Sequence, residues 1–472
     1  MRFARLTTTL KAFDKPALKR LNEYLHSPYF KTPPTATALF TYLQAQKQPY
    51  TTESVSPENI ARHQPLLDTE NKQAIAATQL LKAVEGFMTI ENLYRHPYNH
   101  TWHLLDEYKN LHLAEGFEKT YEAAMQQIEE CPEQNTDTFF HRQMFIALSF
   151  SGFLPHLNRT ANNDLTPLLK SFDEFYALKK LRYICEALNR KKNFGIPYTE
   201  EPTGHLLQIL EPYNSKKFPY VYLTINIYGL INAHTYEEGL PYYMRIKEFA
   251  AEQGDTLPES IAGSISWATG WCITWGANGY ENIEREYLWW IELRIKHNLL
   301  LQNGKITPIL FRNTVNLAVL HGYPPDWIKQ FINRYEPCLP PQHRETTLAY
   351  SLGLYHYTVK EHKTAGRFLQ QAQAGEEVPF NAVIRRIKWI NDYEDNPAET
   401  ELLLRQLEAF EKYIDRNDEG FHRYKKGFAL FVTYARKLLN TTGKKECQTL
   451  LAALRQEPFF AVKPWLIEQL EN

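Results

Sequence analysis

The stretch TTLAYSLGLYHYTVKEHKTAGRFLQQAQA, residues 346–374, decides the architecture. Ala349, Leu352, Gly353, His356, Ala365, Leu369 and Ala372 recur in it at helical spacing. Small residues among them let the two helices of a hairpin approach closely, and the larger ones fill the groove between one hairpin and the next.

Outward from this stretch, prolines punctuate the chain. Pro219, Pro258, Pro308, Pro325, Pro341, Pro379 and Pro397 each stand just ahead of a helical pattern, often behind a capping residue such as Thr307 or Asn396. Proline suits the first turn of a helix, where its missing N–H would be unbonded anyway. The gaps between these prolines are close to one, two or three times a unit of about 17 to 19 residues, the length of a helix and a turn. Helical hairpins stacked in an array are the expected result. The spacing within 346–374 is similar to that of the tetratricopeptide repeat. It departs from the motif at Ala349 (Trp preferred), at His356 (Tyr preferred) and in a closing proline displaced to Pro379. That resemblance implies a superhelix whose first helices line a concave, peptide-binding side.

The same helical period runs through NKQAIAATQLLKAVEGFMTIENLY, where Ile75, Leu80, Leu81, Val84, Phe87, Met88 and Leu93 form one broad stripe. Two-residue alternation is scarce. The expected fold is therefore all-α: an α-solenoid of stacked hairpins behind a small N-terminal helical domain. Its parts are a cap domain over 1–95, a helical region over 96–205 and the repeat solenoid over 206–472. The segments LNEYLHSPYF (21–30), FDEFYALKKLRYICEALNRKKN (172–193) and ITPILFRNTVNLAV (306–319) resemble a family of bacterial hypothetical proteins without assigned function, a resemblance that spans most of the chain and implies no activity.

Composition narrows the function classes. At 472 residues the chain exceeds a single domain of usual size. Its 53 Lys and Arg balance 54 Asp and Glu, whereas a dedicated nucleic-acid binder carries a basic surplus. The basic run ALKKLRYICEALNRKKN (177–193) reads as a solvated helix face. Cys131, Cys185, Cys272, Cys338 and Cys447 are odd in number and never form CxxC, which predicts reduced thiols. The first twenty residues lack the apolar core of a signal peptide, so a cytoplasmic location is expected.

Little in the sequence suggests catalysis. His96, His100 and His103 fall at i, i+4 and i+7 with Glu107 a turn on, a spacing that could hold zinc on a continuous helix. Pro97, however, starts the helix and leaves His96 outside it, and there is no HExxH base. GxSxG, Walker and GxGxxG motifs are absent. No enzyme activity, cofactor or metal is expected.

The expected site is a binding surface for another protein or peptide. FRNTVN places Arg312, Asn313 and Asn316 on a first helix, and Tyr350 and His356 on the next first helix extend the strip. Arginine and asparagine there can bond a peptide backbone or terminus. The alternative is a ligand-sensing regulator whose N-terminal region contacts nucleic acid. ATALFTYLQAQKQ and NKQAIAATQLLKAVEGF nevertheless lack a basic recognition helix, so nucleic acid is not the expected partner.

SISWATGWCITWGANGY (264–280) lies within 21 uncharged residues, the length of a membrane span. The six Ser, Thr and Asn residues of that 21-residue stretch and its central tryptophans argue against one. Trp267, Trp271 and Trp275 instead form a winding stripe, read as core packing in the middle of the array or, failing that, as a candidate aromatic groove.

Overall fold

Helices begin where the side chains can cap them. Thr307 accepts the Leu310 amide at 3.2 Å ahead of Pro308, and Pro219, Pro308, Pro325 and Pro341 all occupy the first helical position. Pro379 is the second residue of its helix. Pro397 instead lies in a turn, where Asn396 Oδ1 accepts the Ala398 amide and holds off the helix until Thr400. Pro258 lies outside the described residues.

The computed structural model describes all residues except 1, 47–54, 133, 153–163, 253–266, 273–280, 373–377, 418–424, 442, 459 and 472. The described residues form helices and no strand, so the fold is all-α. The chain divides into two units: Met1–Glu130 with Phe140–Leu168, and Cys131–Phe139 with Leu169–Asn472. The expected boundaries near 95 and 205 each fall inside a unit.

The first unit contains α1 (Arg2–Lys11), α2 (Lys15–His26), α3 (Pro34–Ala45), α4 (Pro57–His63), α5 (Glu70–Arg95), α6 (Pro97–Asn110) and α7 (Ala114–Glu129). The long α5 is its spine, packing against α1, α2, α3 and α6. The buried stripe of α5 is Gln73, Ala76, Ala77, Leu80, Leu81, Val84 and Phe87. Ile75, expected on that stripe, is exposed because it falls off its three- and four-residue register, whereas Met88, one turn after Val84, is in register yet exposed beyond the last buried residue, Phe87.

Next come α8 (Thr136–Gly152) and α9 (Thr166–Phe194). The second unit continues with α10 (Gly204–Leu210), α11 (Pro219–Asn232), α12 (Tyr236–Glu252), α13 (267–272), α14 (Glu281–Lys296), α15 (Pro308–Leu320), α16 (Pro325–Tyr335), α17 (Pro341–Thr358) and α18 (His362–Gln371). It ends with α19 (Val378–Asp395), α20 (Thr400–Arg416), α21 (Lys425–Asn440), α22 (Lys444–Gln456) and α23 (Lys463–Glu471).

Helices of the second unit pack mainly on those next or next but one in sequence: α15 on α16 and α17, α17 on α18, α18 on α19, α19 on α20, and α20 on α21. Gly353 shows why α17 and α18 come close. A Cβ there would lie 2.8 Å from Leu369 Cγ and 3.3 Å from the Leu369 amide nitrogen. Ala365, Leu369 and Ala372 are fully buried in the same contact.

Polar ties cross successive junctions. Tyr287 meets Thr314 Oγ1 at 3.4 Å, Asn391 Nδ2 donates to the His362 carbonyl at 3.0 Å, and Trp389 Nε1 donates to the Leu403 carbonyl at 3.0 Å. Buried polar atoms paired in this way avoid a desolvation penalty of about 1–3 kcal/mol each and fix which faces meet.

Candidate functional site

Three of the five residues expected on the binding strip come together. Asn316 on α15 accepts from the Tyr350 hydroxyl of α17 at 3.3 Å. Arg312, one turn before Asn316, stacks its guanidinium carbon 3.7 Å from the centre of the Phe380 ring on α19, and Phe380 meets Tyr350 edge-on at 5.0 Å. Asn313, on the same helix, is partly exposed. His356 is directed elsewhere. Its Nδ1 lies 2.7 Å from Glu361, and its ring stacks on Phe368 at 5.3 Å, so it ties the α17–α18 connection together.

A further buried arginine, unforeseen in the sequence, lies on α19. Arg386 on α19 is only 9% exposed, lies 5.2 Å from the Phe428 ring and has no hydrogen-bond or ion-pair partner among the described residues, its Nε included. Burial pushes its pKa down to about 10, opposed by Tyr350, so it remains a cation at neutral pH. Burial raises the Tyr350 phenol, while the charges of Arg386 and Arg312 pull it down. The missed signal was positional. Arg386 shares a helix face with the buried Ala382, Trp389 and Ile390, a place where the period calls for an apolar residue.

The tryptophan stripe is filled where it is described. Trp271 is buried between Tyr236 and Tyr243, with ring centres at 5.3 and 4.8 Å, and Gly239 leaves room for its indole edge. Trp267 is partly buried against the same core, and Trp275 lies outside the described residues. Beside them Tyr243 donates to Glu286 at 2.7 Å and accepts from Trp290 Nε1 at 3.1 Å, while Lys247 pairs with Glu286.

The basic run of α9 is largely answered. Lys180 pairs with Glu201, Arg190 with Glu186 and Lys191 with Glu200, while Lys192 donates to the Ile231 and Ala233 carbonyls. His96 occupies the position before the first turn of α6 without a capping side-chain bond, His100 packs on Tyr94 and His103 on Trp102. Among the described residues no three His, Cys, Asp or Glu side chains converge on a metal position. Nor is any described helix long and apolar enough to cross a membrane. Two depressions, of about 650 and 550 Å³, lie around Arg436 and Glu446 and around Glu394 and Trp465 respectively, away from Arg312 and Tyr350. No protein-family model, curated protein or solved structure matches the chain.

Proposed function

We propose that the second unit is a helical-repeat module, related in plan to tetratricopeptide arrays, that binds another protein or peptide and catalyses no reaction. Most weight rests on the cluster of Arg312, Asn316 and Tyr350, in which two helices bring polar groups together against the Phe380 ring of a third, beside the partly exposed Asn313. Neighbour-on-neighbour packing from α14 to α21 also supports the reading, since stacked hairpins present successive helices along one surface. A cytoplasmic setting agrees with five cysteines that are all free thiols.

The experiment is affinity capture with a photo-crosslinking residue in place of Asn313, followed by mass spectrometry. The expected result is one recurring partner whose crosslink is lost in Asn316→Ala. Absence of a recurring partner, or an unchanged crosslink in the variant, overturns the reading.

A further inference from the structure

We propose that the depression around Glu394 and Trp465 receives the primary ammonium of a lysine side chain from outside the fold, and that Lys360 is a tethered stand-in for it. The site does not include Arg312, Asn316 or Tyr350; only the carrier of that lysine, a bound chain, rests on the peptide-binding reading.

The depression, of about 550 Å³, is bordered by Tyr357, Lys360, Tyr393, Glu394, Trp465 and Glu468. Three helices build it: Tyr357 lies near the end of α17, Tyr393 and Glu394 near the end of α19, and Trp465 and Glu468 on α23. Two donors pin one carboxylate oxygen of Glu394, the Tyr357 hydroxyl at 2.7 Å and the Trp465 indole at 2.8 Å. The other oxygen accepts from Lys360 Nζ at 3.1 Å. The same ammonium lies 5.4 Å from the centre of the Tyr357 ring. A carboxylate and an aromatic ring at these distances give an alkylammonium a charge-assisted hydrogen bond and a cation–π contact together.

Lys360 holds that position loosely. Its side chain is 69% exposed, against 16% for Glu394. An ion pair with so exposed a cation adds little to stability, so the ammonium can leave at small cost. Glu286 is served differently: it pairs with Lys247, which is itself mostly covered, and accepts from Tyr243. With Lys360 swung out, the lining retains two carboxylates, Glu394 and the exposed Glu468, and no lysine or arginine. Tyr357, Tyr393 and Trp465 supply apolar surface for a butyl stem, which favours a lysine side chain over a bare inorganic cation.

The test follows the indole N–H of Trp465 by NMR in the full chain, its resonance assigned by its loss in Trp465→Phe. n-Butylammonium chloride, which carries the head group of a lysine side chain, should shift it saturably, whereas sodium chloride at matched ionic strength should not. Lys360→Ala, freed of its internal competitor, should bind n-butylammonium about fivefold more tightly, a gain that misfolding cannot produce. Glu394→Gln should lose the saturable shift, while the Trp290 indole, bonded to Tyr243, stays in place as a check on the fold. Nα-acetyllysine amide should bind as n-butylammonium does, and tetramethylammonium, which has no N–H to donate, about fivefold more weakly.

No saturable shift of the Trp465 indole, or an unchanged affinity in K360A, would overturn the site. Tetramethylammonium binding as tightly as n-butylammonium would overturn the primary-ammonium assignment, and failure of the lysine amide to bind would refute a chain-borne lysine. n-Butylammonium binding without any partner captured at Asn313 would leave the site standing and refute the peptide-binding reading; the converse outcome would do the reverse.

Discussion

Gly353→Ala offers the sharpest test of how the α17–α18 hairpin is built. In an open helix this change is favourable by about 1 kcal/mol, because glycine loses the most backbone entropy on folding. Here the added methyl meets Leu369 Cγ at 2.8 Å, Cδ2 at 2.9 Å and the Leu369 backbone nitrogen at 3.3 Å. Leu369 is fully buried, so its side chain has nowhere to retreat, and its amide moves only if the helix moves. Overpacking of this kind costs about 1–3 kcal/mol, so the net effect should be a loss of about 1 kcal/mol, and at most about 2. Leu369→Ala alone should cost about 2–5 kcal/mol through the cavity it leaves. In the double variant the methyl added by Gly353→Ala occupies part of that cavity, so the combined loss should be smaller than the sum of the two by at least about 1 kcal/mol. Two compact units make a single global transition a poor yardstick, so native-state hydrogen exchange at the amides of α17 and α18 is the assay. A stabilised Gly353→Ala variant, or strictly additive losses, would refute the close-approach account.

Three further outcomes follow from buried polar groups. Glu394 is half-buried, and burial alone would raise its pKa, yet the Tyr357 hydroxyl at 2.7 Å, the Trp465 indole at 2.8 Å and Lys360 at 3.1 Å hold it below the usual carboxylate range. A depressed pKa gives stability that is complete above the unfolded value of about 4.3 and is lost as pH falls through the folded one. The parent should therefore lose urea resistance faster than Glu394→Gln below about pH 5, and parallel curves would contradict this. Tyr243→Phe strips the buried Trp290 Nε1 of its acceptor and should cost about 1–3 kcal/mol, read as a lowered unfolding midpoint; an unchanged midpoint would show that the bond contributes nothing. Burial pushes the Cys185 and Cys272 thiols up to about 12, so a thiol reagent at neutral pH should modify Cys131, Cys338 and Cys447 first, with all five reacting only in denaturant.

Helix starts were legible because they are local. A proline with a capping residue before it fixes the first turn without help from distant chain, as at Thr307–Pro308. Pro397 shows the limit, since the Asn396 side chain can cap a turn as readily as a helix, and only the position of the next helix distinguishes the two. The α5 stripe shows another. Counting apolar residues included Ile75, whereas the packing of α1, α2 and α3 selects a face that leaves it out and accepts Gln73, whose amide donates to the Pro57 and Leu67 carbonyls. The Trp271 stack likewise depends on Tyr236 and Tyr243 from α12, which local spacing around the tryptophans does not specify.

The site was half legible for the same reason. Arg312 and Asn316 lie one turn apart on α15, so helical period alone puts them on neighbouring positions, and the packing of α15 on α17 brings Tyr350 to them. Arg386 escaped notice because a charged residue is read as exposed unless something says otherwise, and here that something is its register with Ala382, Trp389 and Ile390. Register alone would not have separated it from Arg294, which is also buried. The difference is chemical. Arg294 donates to a carbonyl of its own loop, whereas the Arg386 Nε has no acceptor among the described residues and its guanidinium lies 5.2 Å from the Phe428 ring. Burial of a cation is therefore answered in two ways within one unit, by a backbone carbonyl at Arg294 and by an aromatic ring at Arg386, and only the packing of the neighbouring helices decides which.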